Sequence, residues 1–427
     1  MPSSNSRALL RRATHLVVVT LPAFGGRGVQ FLALAAMALL VSPADYGRFT
    51  TLQVLVLGLA SIAGSTMGTS ANAIAARAAR AGTRDVRPIL ASLLIGRRRV
   101  LVLNALVSVV AVPVGYAIVV ELPTATDVFA LAGFGLLSAV LPLGETVVAV
   151  LAGTGRYRTA SWTDAVRAVV GAGLALVLGV TAGPWWAVVG MLSVDGVIAA
   201  VAVVVTLTAV RSGAVPEPVA DPRAGLLAGF SANVMGQVTN WIVLWAIGAV
   251  GGAAGLGVYG VALRFASIVT LAPQYFGKTV IGQLAAPDPS KNLWTPRSFV
   301  AMLGALSVSG SAASLGLLVV VFPALAERYD GLVVMLSAVL VATSLRAVLI
   351  GLGHVCVARG HWRTWVLADA TSLVVTVFGV LLVLGGSAGV AGATLVVIVT
   401  AAANAAGIAT RFFGLSRPGA ARAEVAR

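Results

Sequence analysis

Residues 185–224 read WWAVVGMLSVDGVIAAVAVVVTLTAVRSGAVPEPVADPRA. Up to residue 209 the stretch is apolar apart from Asp195, and it has about the 20 residues an α-helix needs to cross a bilayer's hydrocarbon core. The apolar run stops before Arg211. Residues 211–224, with Pro216, Pro218 and Pro222 among mixed charges, read as a linker. Similar runs recur on both sides, six up to the linker and six after it. The predicted helices are 14–41, 48–73, 99–120, 127–152, 160–181, 185–209, 226–250, 257–283, 298–322, 332–357, 363–384 and 388–411. This pattern predicts an all-α polytopic membrane protein of about 12 transmembrane helices in two six-helix halves. The halves are 1–210 and 225–412, joined by the cytoplasmic linker 211–224 and followed by a cytoplasmic tail, 413–427.

The basic residues divide by side. Arg7, Arg11 and Arg12 precede the first run, and Arg77, Arg80, Arg84, Arg87, Arg97, Arg98 and Arg99 lie between runs two and three. Further along come Arg156 and Arg158, Arg211 and Arg223, Lys291 and Arg297, and Arg359 and Arg363; Arg411, Arg417, Arg422 and Arg427 close the chain. Together these are 22 of the 29 Lys and Arg, all on alternate connections, the side the positive-inside rule assigns to the cytoplasm. The opposite connections hold mainly acids, Asp45, Glu121, Asp127, Glu327 and Asp330, with Arg48 and Arg328 as exceptions. The expected location is therefore the inner (cytoplasmic) membrane, with both termini in the cytoplasm. Connection 74–98, basic and partly helical in pattern, is expected along the inner headgroup surface.

A mean hydropathy of +0.99, with 59% apolar and 10% charged residues, excludes an ordinary soluble domain. The net charge of +15 is met by the side bias and by anionic headgroups, so membrane lipid rather than nucleic acid is the expected partner. Cys356 is alone, and His15, His354 and His361 have no ligand spacing, so no metal or other cofactor is expected. No Gly-rich phosphate loop and no nucleophile–His–acid arrangement is present, which argues against an enzyme. The first apolar run is too long for a signal-peptide core, and an uncleaved first helix is expected.

The halves look related. GRYRTASWTDA at 155–165 matches GHWRTWVLADA at 360–370 at a constant offset of 205, aligning Gly155 with Gly360, Arg158 with Arg363, Thr159 with Thr364 and Asp164 with Asp369. A weaker echo at offset 213 pairs Tyr46-Gly47 with Tyr259-Gly260. Six spans per half insert both halves the same way round, which predicts a parallel repeat with the site between the halves.

These segments carry a resemblance. LLVSPADYGRF at 39–49 looks like the "lgPedyG-f" turn between the first two helices of polysaccharide exporters. GLGVYGVALRF at 255–265 resembles their "vGiY--a-R" approach to helix eight, and GTGRYRTA at 153–160 their "qg-gr-r" connection. The chain thus resembles the O-antigen-type lipid-linked oligosaccharide flippases of the multidrug/oligosaccharidyl-lipid/polysaccharide exporter superfamily. That resemblance implies a flippase moving polyprenyl-diphosphate-linked oligosaccharide from the cytoplasmic to the outer leaflet for cell-surface polysaccharide synthesis. It also implies a membrane-bound glycan polymerase as a further partner.

Charges within spans are costly and usually face a wet cavity or one another. Arg27, Glu145, Asp164, Arg167, Asp195, Arg264, Lys278, Arg346 and Asp369 are the candidates. Asp164, Asp369 and Lys278 sit near helix ends, where capping or interfacial pairing is the simpler reading. Guanidinium groups bind phosphate oxygens bidentately and keep their proton in a low dielectric. Arg264, Arg27, Arg48 and Arg346 are therefore the candidates to bind substrate; for Arg27, Arg264 and Arg346, as for Glu145, a buried structural pair is the alternative. Arg264, Arg27 and Arg48 resemble the arginine cluster on helices one, two and eight of lipid II flippases, and Arg264 matches the motif best. Gln30, Gln53 and the helical triplet Asn233, Gln237 and Asn240 are expected either to bind sugar hydroxyls or to bond neighbouring helices. Glu145 and Asp195 are candidates for proton or sodium coupling, or for balancing an arginine. The alternatives are a multidrug antiporter of the same superfamily, which calls for more acids than arginines in the cavity, and an integral-membrane glycan polymerase or ligase. The latter needs a long outward loop, and the outward connections here are short.

Overall fold

A computed structural model describes residues 4–80, 82, 85–120, 124–212, 223–284, 295–386 and 388–416; side chains are described from residue 21 on, except 65–66, 69–70, 73, 77, 80, 125–126, 223–228 and 271–284. Linker residues 213–222, the tail from 417 and the Lys278 side chain lie outside the described residues.

Every regular element among the described residues is helical: α1 (Ser4–Leu40), α2 (Pro43–Arg80), α3 (Val86–Gly96), α4 (Arg98–Val119), α5 (Ala125–Ser138), α6 (Val140–Gly153), α7 (Tyr157–Thr181), α8 (Pro184–Arg211), α9 (Arg223–Leu284), α10 (Pro296–Gly316), α11 (Pro323–Arg328), α12 (Leu332–Ala358), α13 (Trp362–Leu384) and α14 (Gly389–Ser416). Eleven stretches are long and apolar enough to cross a membrane. The sequence predicts twelve because one of the eleven, Gly229–Thr270, is 42 residues long, about twice a single crossing. It turns at Gly252, where φ is 60° and ψ −164°, a conformation that glycine adopts without steric cost. A Cβ on Gly255 would lie 3.8 Å from the Ile247 carbonyl oxygen, eight residues back, a separation of ~12 Å along an unbroken helix. The chain therefore folds back on itself there.

Two breaks follow from proline. The predicted helix 127–152 is split into α5 and α6 because Pro142 has no N–H to donate to the Ser138 carbonyl. Pro323 likewise cannot donate to Val319; α10 ends in a π-helical turn, Leu317–Val321, and the short α11 follows.

The chain forms two compact units. The first comprises Met1–Ala36, Val56–Pro113 and Thr124–Asp221. In it α7 packs on α8, and the buried face of α7 is built from Ala160, Ala165, Ala168, Ala172 and Ala175. α3 packs on α6 and α8, burying Ile89, Leu90, Leu93 and Leu94 with Ile74, Val150 and Ala202.

The second comprises Met37–Leu55, Val114–Pro123 and Pro222–Arg427. α9 packs against α10, α12, α13 and α14. The start of α2 belongs to this unit through backbone contact with α9. A Cβ on Gly257 would overlap the Pro43 carbonyl, and one on Gly47 would overlap the Ala253 carbonyl and sit 2.9 Å from the Gly257 nitrogen. The two contacts exchange under a shift of 210 residues, so the packing relates Gly47 to Gly257 rather than to Gly260.

Candidate functional site

In the first unit, α1, α6, α7 and α8 converge on Arg167. This side chain is buried, and its Nε donates to Asp195 Oδ1 at 2.6 Å while its Nη2 donates to Glu145 Oε1 at 3.1 Å. Its Nη1 is 3.7 Å from Asp164 Oδ1, one helical turn earlier on α7. Asp164 also accepts from Arg27 at 3.2 Å, and Arg27 donates to Gln30 at 2.9 Å. Gly144 leaves room for the cluster, since a Cβ there would lie 2.9 Å from Asp195 Oδ1. Three carboxylates thus surround two guanidiniums. Buried ion pairs of this kind hold together only when each charge finds partners, because desolvation costs several kcal/mol per ion. Glu145 is the member most open to solvent, with 39% of its side chain exposed.

In the second unit the charge balance is reversed. Asp369 on α13 lies between Arg411 Nη2, at 2.8 Å, and Arg346 Nη1, at 3.7 Å. Arg411 is almost fully buried and also donates to the Leu349 carbonyl. Glycines again admit the guanidiniums: a Cβ on Gly353 would be 2.7 Å from Arg411 Nη1, and one on Gly236 would be 2.9 Å from Arg346 Nη2. Gly236 lies on α9 three residues after Asn233 and next to Gln237, and Asn240, one turn on, donates to Gln237 at 3.3 Å. Arg346 therefore approaches α9 at the turn that carries Asn233 and Gln237. Asn233 and Gln237 are half-buried, Asn240 exposed.

Arg264 on α9 is placed differently. Its guanidinium carbon is 5.8 Å from the Phe49 ring centroid, and it interacts electrostatically with the Tyr46 hydroxyl. No carboxylate lies within ion-pair distance among the described residues, and its buried Nε has no hydrogen-bond partner. Such a buried donor costs about 1–3 kcal/mol when left unsatisfied. An anion would satisfy it. Arg48, by contrast, is exposed and pairs with Asp45 at 3.2 Å. Gln53 is buried in α2.

The α11 region holds the end of α1. Helix C-termini leave carbonyls without intrahelical partners. Arg328 donates to the Leu39 carbonyl at 2.7 Å and to the Val41 carbonyl at 2.9 Å; the Tyr329 hydroxyl donates to the Ala38 carbonyl at 2.9 Å. Burial pushes the Tyr329 hydroxyl well above the ordinary tyrosine range, which keeps it a donor. The Tyr329 ring meets Tyr46 edge-on at 6.5 Å. Tyr46 thus touches both this clamp and Arg264.

Sequence reasoning left several of these residues aside. Asp164 and Asp369, aligned by the repeat and read as capping or interfacial pairing, each pair with two guanidiniums rather than cap a helix. Arg411, expected in a cytoplasmic connection, is inside α14; its partners lie on neighbouring helices, where charge counting carries no information. Arg328, an exception to the side bias, has a structural partner in the α1 terminus.

No known protein family matches the chain by sequence profile, and no curated relative matches it. Among solved structures, it is similar to an inward-facing multidrug resistance MATE transporter of the MOP superfamily, with a TM-score of 0.64, 15% identity, and coverage of 93% of this chain and 96% of that one. It is similar to the lipid II flippase MurJ in an inward closed conformation, with a TM-score of 0.64, 11% identity, and coverage of 94% and 88%. It is also similar to a MOP transporter from Pyrococcus furiosus described as having a binding pocket of reverse polarity, with a TM-score of 0.63, 16% identity and coverage of 96% of both chains. The fold is that of a multi-pass, all-helical membrane protein of this architecture.

Proposed function

We propose that the protein is a flippase for polyprenyl-diphosphate-linked oligosaccharide, working by alternating access. The observation that carries this reading is Arg264, a guanidinium without a carboxylate among the described residues and with a buried donor left open. A diphosphate supplies the missing acceptors, and the Phe49 ring offsets part of the cost of holding the cation away from water. Arg346 is one-third exposed and approaches α9 at the turn that carries Asn233 and Gln237, which suits sugar hydroxyls next to a phosphate. Arg27, Arg48 and Arg346 each already hold a carboxylate, so all three rank behind Arg264 as ligands. Glu145 and Asp195 share Arg167, and we assign coupling to protonation or cation binding at this acid-rich cluster. The membrane in question is the cytoplasmic one with both termini inside, on the charge bias alone.

A multidrug antiporter is the second reading, favoured by one observation: the first unit's cluster has one carboxylate more than its guanidiniums. Proteoliposomes holding the purified protein and a fluorescent short-chain polyprenyl-diphosphate glycan separate the two. The flippase reading expects protein-dependent translocation that weakens with Arg264→Ala. Absence of translocation, together with proton-driven uptake of a cationic dye, would establish the antiporter instead.

A further inference from the structure

The charged residues that the transport reading leaves unused gather at one end of the first unit. α3 lies there, with its apolar face buried on α2, α6 and α8. Arg87 is exposed on α3, and Arg98 and Arg99 open α4 directly after it. Arg156 and Arg158 follow the end of α6, where Gly153 meets the α2 backbone at Ala76. Arg211 ends α8, two turns beyond Val205, which packs on the α3 cluster. All six guanidiniums are exposed, and none has a carboxylate partner among the described residues.

What covers these arginines is indicated by the residues next to them. From Arg99, α4 carries a stripe of exposed Leu and Val: Leu103 is 61% exposed, Leu106 63% and Val110 63%. The outer face of α8 runs through Val201, Val204 and Leu207, each more than half exposed, to Arg211. α7 continues from Arg158 to exposed Trp162 and Val166, with Tyr157 exposed beside them. Only hydrocarbon covers stripes of this length, and Trp and Tyr favour the depth where hydrocarbon meets headgroups. Arg99, Arg158 and Arg211 therefore each end an exposed apolar stripe, with Arg98 and Arg156 beside them in the chain and Arg87 on the adjoining α3.

We propose that this end of the first unit is a binding site for anionic phospholipid, with arginine forks on the phosphodiester and acyl chains along the α4, α7 and α8 stripes. A soluble phosphate would gain the forks and nothing from the stripes. A lipid gains both, and an anionic one is drawn by the uncompensated charge.

The test uses full-length protein in nanodiscs of phosphatidylcholine with increasing phosphatidylglycerol, reading thermal stability and the phosphatidylglycerol retained in native mass spectrometry. Each arginine near an anionic surface is worth about fivefold in binding. Arg87→Gln/Arg98→Gln/Arg99→Gln should therefore lower phosphatidylglycerol selectivity by at least about tenfold, while Arg297→Gln/Arg359→Gln/Arg363→Gln in the second unit leaves it intact. Should the first triple variant fail to fold in phosphatidylcholine alone, Arg156→Gln/Arg158→Gln replaces it with the same expected loss. Raised sodium chloride should weaken the wild-type effect. The proposal is overturned by equal retention of both lipids in wild type, by full retention in the first-unit arginine variants, or by inorganic phosphate alone reproducing the stabilisation.

Discussion

The Arg264 guanidinium lies over the Phe49 ring, 5.8 Å from its centroid, on a helix whose backbone touches that of α2 through Gly257 and Pro43. Most other intramembrane arginines in the described residues hold a carboxylate; this one holds an aromatic face and an open donor. Its removal should therefore cost function more than stability. Arg264→Ala should lower the melting temperature far less than breaking the buried Asp369–Arg411 pair, because only the Phe49 and Tyr46 contacts and no ion pair are lost. A charge-assisted phosphate contact is worth about 1.5–3 kcal/mol, so apparent affinity for a diphosphate substrate should fall by about 10–100-fold. Arg264→Lys should recover part of it, and titration of transport against substrate concentration measures both.

The Asp369–Arg411 pair should behave in the opposite way. Both side chains are buried, and removing one strands the other. Asp369→Asn or Arg411→Ala should each destabilise by about 3–5 kcal/mol. The double replacement Asp369→Leu/Arg411→Met should cost less than either single change. Thermal unfolding in detergent reads the order.

Gly257 admits only a hydrogen against the Pro43 carbonyl. Gly257→Val should separate the start of α2 from α9 and expose the Thr50 position, which is buried in the wild type. Maleimide labelling of Thr50→Cys should then proceed faster in the Gly257→Val background than in its absence. An unchanged rate would mean that the two helices do not depend on this contact.

The clamp on α1 offers a graded series. Tyr329→Phe removes one hydrogen bond to Ala38 and should cost about 1 kcal/mol. Arg328→Gln removes two charge-assisted bonds, to Leu39 and Val41, and should cost more. Hydrogen exchange at residues 38–46 should speed up in the same order.

The spans were legible because composition alone dictates them: without water in the bilayer core, an apolar run of that length has helix as its stable form. The basic piece before α4 was legible as partly helical, and its helical parts are the end of α2 and α3. The reversal at Gly252 falls between the predicted helices 226–250 and 257–283, whereas the break at Pro142 required knowing which carbonyl lost its donor. The charged site was legible only in part. The offset of 205 aligned Asp164 with Asp369, but their arginine partners are not themselves aligned: Arg27 and Arg167 in one unit, Arg346 and Arg411 in the other. Those partners come from helices up to 137 residues away, and helix rotation decides the pairing. Residue type and spacing say nothing about that rotation. Arg264 stood out in the sequence through its motif, whereas its lack of a carboxylate emerged from packing.

A flippase of this kind moves a diphosphate-linked glycan across the membrane past Arg264. The most direct measurement is the leaflet location of polyprenyl-linked oligosaccharide in cells lacking this protein, complemented with wild type or Arg264→Ala. The expected result is accumulation on the cytoplasmic face, relieved by wild type and not by the variant. Outward appearance in the deletion strain without a redundant transporter, or full rescue by Arg264→Ala, would contradict it.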